Sequence, residues 1–190
     1  MLINKIDIAD HRELSRTTQD KRINPYIEDA EFIDLKPLLG EVFYNYVIAN
    51  PTEVNVVKLL DGSIYQYNDE TYSQPGIKKV LAIFSYARFA LHGSFAQTGY
   101  GMVEKQSQDS IPVSGTSKRD IYTKDREVAI HYWNEVERFL NRNKTDFQKW
   151  KNDCTIKPRN NFRIRKITTD DIYDQQHIDA KIHPKWRRTF

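Results

Sequence analysis

At 190 residues, 39% apolar and 29% charged, the chain has room for one domain whose core buries roughly 70% of the unfolded surface, and two full domains would be cramped. Its single cysteine, Cys154, excludes an intrachain disulfide and any zinc site built from several cysteines of the chain. The net charge of +3 is unevenly spread: residues 155–190 hold nine Lys/Arg against four Asp/Glu (+5), and residues 1–154 hold twenty against twenty-two (−2), the pattern of an interaction arm.

Residues 1–24 read as an N-terminal arm. Leu2, Ile3, Ile6 and Ile8 predict a short strand, with Asp10 or Ser15 able to cap a helix in the polar stretch that follows. The opening residues lack the apolar core of a signal peptide, and no apolar run reaches membrane-spanning length. The chain is therefore expected to work in a cytosol, or in something assembled there, with no membrane partner.

A helical domain is expected over residues 25–152. Tyr26, Ile27, Ala30, Ile33, Leu35, Leu38, Leu39, Val42, Phe43, Tyr46 and Val47 continue one helical stripe. Pro37 is expected to divide it into helices over 26–34 and 36–49, with Asp34 capping the second. Asn50-Pro51 ends that run, and residues 53–60 form a short amphipathic piece. Ile64, Tyr65 and Tyr67 precede Asn68-Asp69, and Thr71-Tyr72 follow, which predicts a β-hairpin over 62–72. A lone hairpin is marginal in water, so this one is expected to lie on helices or on a neighbouring molecule.

The longest helix-competent apolar stretch is 75–95. Pro75 suits its first turn, Ile77, Val80, Leu81, Phe84, Ala87, Leu91 and Phe95 form its stripe, and Gly99 and Gly101 stop it. Ile83, Tyr86, Phe89 and Ala90 make a second apolar face, so this helix belongs in the middle of a bundle. Residues 98–117 lack periodicity and predict a long loop, and 118–141 carry a further amphipathic helix with Tyr132, Trp133, Val136, Phe139 and Leu140 on its stripe. Phe147 and Trp150 finish the core. Residues 153–190 read as an extended basic C-terminal arm, too apolar for a purely solvated tail and too sparse for a domain. The fold class that results is mainly α: a helical bundle around a central buried helix, with a small β-hairpin, a long loop and extended N- and C-terminal arms.

Chemistry is not legible in these residues. The five histidines are scattered without metal-ligand spacing, no G-x-S-x-G elbow is present, and Gly99-Tyr100-Gly101 is not followed by the Lys-Ser or Lys-Thr of a phosphate loop. Glu28-Asp29, Glu31 and Asp170-Asp171 read as solvated faces without a convergent base or metal set. The chain is expected not to be an enzyme, with no catalytic residues, no cofactor and no metal.

The run Asn24-Pro25-Tyr26-Ile27-Glu28 through Leu35-Lys36-Pro37-Leu38-Leu39-Gly40, then Pro75-Gly76-Ile77-Lys78-Lys79 with Tyr86-Ala87-Arg88-Phe89, then Thr98-Gly99-Tyr100-Gly101-Met102-Val103, resembles head-to-tail connector (adaptor) proteins of tailed phages. It is similar to the ring proteins of phages of Bacteroidetes, including the crAss-like phages, over about residues 20–150. The resemblance implies a virion protein: a helical protomer repeated as a homo-oligomeric ring, twelvefold in such assemblies. Such a ring docks beneath the portal protein, meets adjacent tail rings and extends the channel through which DNA passes without sequence-specific binding.

A cyclic ring needs two different complementary faces on each subunit. The hairpin and the long loop are the candidate faces, with Tyr65, Tyr67, Tyr72, Tyr100, Met102, Val103 and Ile111 as subunit or portal contacts. The C-terminal arm is a candidate strap carrying Phe162, Ile164, Ile172, Tyr173, Trp186 and Phe190. Arg163, Arg165, Lys166, Arg187 and Arg188 are candidate phosphate contacts. The alternative is a nucleic-acid-binding protein acting through that basic tail, which no recognised DNA- or RNA-binding motif frames.

Overall fold

In the computed structural model, which describes residues 1–99, 101–104 and 113–150, the expected N-terminal strand is instead a short helix, α1 (Lys5–Ala9). Asn4 explains the difference. Its side chain accepts from the Ile6 and Asp7 N–H groups while Asp7 accepts from the Asn4 N–H at 2.7 Å, a capping box that turns the chain into a helix. Ile3 and Ile8 are buried in the main core, so this segment is folded onto the helices rather than extended.

The next helix starts earlier than expected and breaks later. α2 (Asp20–Asp29) carries Pro25 in its interior and runs through a π-helical stretch (Ala30–Leu35) into α3 (Lys36–Leu39). The break falls at Gly40, whose φ of 74° is readily adopted by glycine, and not at Pro37, which sits in the first turn of α3 where its missing N–H is tolerated. α4 (Glu41–Ala49) and α5 (Val54–Asp61) follow.

The predicted hairpin forms as β1 (Ser63–Tyr67) and β2 (Glu70–Gln74), antiparallel with Tyr65 opposite Tyr72. Asn68 and Asp69 take φ of 52° and 63°, as a two-residue turn between twisted strands requires. The buried Gln74 side chain donates to the Lys58 carbonyl at 2.6 Å and accepts from the Gly76 N–H at 2.7 Å, fastening the hairpin to the helices on either side.

The central helix is α6 (Ile77–His92), with Gly76 rather than Pro75 at its entry. Ile77, Val80, Leu81, Ala82, Ile83, Phe84 and Ala87 are all buried, and the helix packs on α1, α2, the π-helical stretch and α5. Beyond it, part of the expected long loop forms a second hairpin, β3 (Phe95–Thr98) with β4 (Gly101–Glu104). The last helix, α7 (Gly115–Arg142), has its most extensive contact with α6 and buries Ala129, Trp133, Val136, Phe139 and Leu140. Phe147 and Trp150 close the core, with Phe43 edge-on to both at 6.0 and 5.4 Å between centroids. The described part is mainly α with small antiparallel hairpins.

Candidate functional site

On the β1–β2 hairpin the tyrosines expected at an interface divide between two roles. Tyr65 stacks on Tyr72 at 5.7 Å and meets Phe139 of α7 edge-on at 4.9 Å. Arg142, in the last turn of α7, donates to the Tyr65 hydroxyl at 3.0 Å, with its guanidinium carbon 3.9 Å from the Tyr72 ring centre and 5.0 Å from that of Tyr67. Tyr65 and Tyr72 therefore hold the hairpin on α7, whereas Tyr67 keeps exposed surface and Ile64 on the neighbouring register position is open to solvent. Tyr72 donates to Glu70 at 2.5 Å, and that bond pushes its phenol pKa up. The bond to Tyr65 likewise raises the pKa of Arg142.

The β3–β4 hairpin presents Met102, 71% exposed, together with exposed Val103 and Phe95. It has no extensive packing on another described element. Its described ties to the helices converge on Lys118 in the first turn of α7. The ammonium pairs with Glu104, donates to the Ser94 hydroxyl at 2.8 Å and lies 4.9 Å from the Phe95 ring centre. The hydrogen bond from Lys118 holds the Glu104 pKa below its usual range. Beside this pair lies a groove of about 440 Å³ walled by Leu14, Tyr86, Phe89, Ala90, Val113 and Ile121.

The π-helical stretch reverses the expected polarity. Glu31 and Asp34, read from the sequence as a solvated acid and a helix cap, are buried, while Phe32 and Ile33 are each 58% exposed. Glu31 accepts from the Leu2 N–H at 3.1 Å and from the Tyr44 hydroxyl at 2.8 Å. Burial, then the bond to Glu31, push the Tyr44 pKa up to about 12. Asp34 holds Arg88 of α6 at 2.7 Å and Arg126 of α7 at 2.5 Å. One turn thus ties together the N-terminal segment, α4, α6 and α7. A wider-than-α turn is found mostly as an isolated feature, frequently at functional sites.

Among the described residues no cluster of His, Cys, Asp and Glu is placed to hold a metal ion, and no helix is long and apolar enough to cross a membrane. Tyr100, Ile111, Phe162, Ile164, Ile172, Tyr173, Trp186 and Phe190 lie outside the described residues, as do Arg163, Arg165, Lys166, Arg187 and Arg188. Among the apolar side chains the described geometry leaves exposed are Ile64 and, on the opposite face of the same hairpin, Tyr67 beside Arg142; Met102 and Val103; and Ile33 with Phe32, whose ring lies 6.2 Å from that of Tyr44.

No curated protein and no solved structure matches the chain. A family model described as "Family of unknown function (DUF6712)" matches residues 35–160, which span α3 to α7 and more than half of the chain. The chain therefore belongs to the DUF6712 family.

Proposed function

We propose that this protein is a structural subunit of a phage head-to-tail connector, a protomer repeated as a ring at the portal and performing no reaction. The observation that carries this reading is the β3–β4 hairpin, which leaves the helical body with Met102, Val103 and Phe95 exposed and with little packing beneath it. A two-stranded hairpin is at best marginally stable alone, so one that leaves apolar side chains exposed fits a contact made to another molecule. Ile64, on a different hairpin, and Phe32 and Ile33, on a helix, supply further and dissimilar exposed apolar side chains. Dissimilar complementary faces are what a heterologous, ring-closing contact uses. The resemblance of residues 20–150 to connector proteins points the same way, and in that setting the basic C-terminal residues act as a strap. Many copies of a weak strap make an assembly effectively permanent.

The test is a mass measurement and electron microscopy of the purified full chain, alone and with its portal. A closed ring that binds the portal is the expected result, and truncation at residue 154 is expected to leave a folded body that docks less well. A monomer indifferent to the portal overturns the reading. DNA binding that weakens about a thousandfold between 50 and 200 mM salt would favour the nucleic-acid alternative instead.

A further inference from the structure

The outer face of α2 and the π-helical stretch combines charge and apolar surface in one strip. Glu28 and Asp29 are exposed, and Phe32 and Ile33 follow them one turn later. Neither acid enters an ion pair among the described residues. Several cations of the same and neighbouring elements are committed elsewhere: Arg22 to the Gly93 carbonyl, Arg88 and Arg126 to Asp34, and Lys36 to Glu41 at 2.9 Å. The strip is also held in place from behind, since Glu31 and Asp34 on the inner side of the same turn bind Leu2, Tyr44, Arg88 and Arg126. Exposed acids beside an exposed aromatic on a fixed backbone suit a basic segment that carries apolar side chains of its own.

One stretch of this chain has that chemistry. Residues 159–167 contain Arg159, Arg163, Arg165 and Lys166, no acid, and Phe162, Ile164 and Ile167. The charge balance runs in the same sense: residues 1–154 sum to −2 and residues 155–190 to +5.

We infer that the Glu28, Asp29, Phe32 and Ile33 strip docks the basic segment 159–167 of a second copy of this chain. The inference rests on the ring reading and names what its strap grips. Phe162 and Ile164 cover Phe32 and Ile33, while the neighbouring guanidinium groups meet Glu28 and Asp29.

The experiment places the photoreactive residue p-benzoylphenylalanine at position 32 of the full chain and mixes copies labelled with light and heavy nitrogen. Cross-links from position 32 to residues 159–167 of the opposite isotope are expected. Glu28→Lys with Asp29→Lys should lower their yield roughly tenfold, and adding Arg163→Glu with Arg165→Glu should restore it. Native mass spectrometry of the same samples separates the two ideas. A closed oligomer lacking these cross-links, or showing them only within one isotope, overturns the docking and leaves the ring reading standing. A monomer overturns both.

Discussion

Replacing Asp34 by Ala removes the carboxylate on which Arg88 and Arg126 converge, at 2.7 and 2.5 Å. The Asp34 side chain is 2% exposed, that of Arg88 16% and that of Arg126 35%. Stranding one partner of a buried pair costs roughly 3 to 5 kcal/mol, because the remaining charge keeps its desolvation penalty without the attraction that offset it. Arg126 can turn toward water, so its share falls to that of a surface pair, roughly 0 to 1 kcal/mol. Arg88 is held on the central helix and dominates, which places the expected loss at about 3 kcal/mol, or roughly 6 to 12 °C in Tm for a body of this size. Urea unfolding followed by far-ultraviolet circular dichroism reads the loss directly. Arg88→Met in the Asp34→Ala background removes the stranded charge, so the double variant should lose about 2 kcal/mol less than the two single losses added together. An Asp34→Ala loss below about 0.5 kcal/mol, or a strictly additive cycle, would refute the picture of a buried carboxylate locking the π-helical turn to α6 and α7.

Phe84→Ala on the inner face of α6, where Phe84 is almost fully buried, should cost about 3 to 5 kcal/mol, and a near-neutral result in denaturant unfolding would mean that another face of α6 is inside. Gly76→Ala should cost about 2 kcal/mol or more, since its φ is 86° and an added Cβ would lie 2.5 Å from the Leu60 carbonyl oxygen. Gly115→Ala, where nothing lies within 4 Å of an added Cβ, should be neutral or slightly stabilising by the same unfolding assay. Tyr44 gives an alkaline signature: its pKa is about 12 folded against 10.0 in the unfolded chain. The folded state holds the proton more tightly, so the contribution is whole below pH 10.0 and is lost as pH rises toward 12. Tyr44→Phe should flatten that limb in unfolding measured from pH 9 to about 12.

The central helix was legible because its apolar residues recur at three- and four-residue steps, and neighbours in the sequence are enough to define such a stripe. The β1–β2 hairpin was legible for a similarly local reason: Asn68-Asp69 tolerates positive φ between β-prone runs. The N-terminal segment was misread because Leu2, Ile3, Ile6 and Ile8 satisfy a strand pattern, while a single capping side chain, Asn4, decided for a helix. The second hairpin was hidden in a stretch rich in Gly and Gln with only four residues per strand, too short for periodicity to register. Of the expected contact residues, Tyr65 and Tyr72 turned out to face α7, because Arg142 and Phe139, about seventy residues further along the chain, sit beneath them.

By itself, then, the sequence determined the helical class, the buried stripe of α6 and the charge imbalance between body and tail, all of which depend on composition or on residues within a turn of one another. Tertiary structure alone decided which acids go inside and which apolar residues stay out. Asp34 meets partners 54 and 92 positions away, and Glu31 meets one 29 positions away. A carboxylate enters a core only where cations and N–H groups from other elements converge on it, and that convergence exists only once the chain has folded.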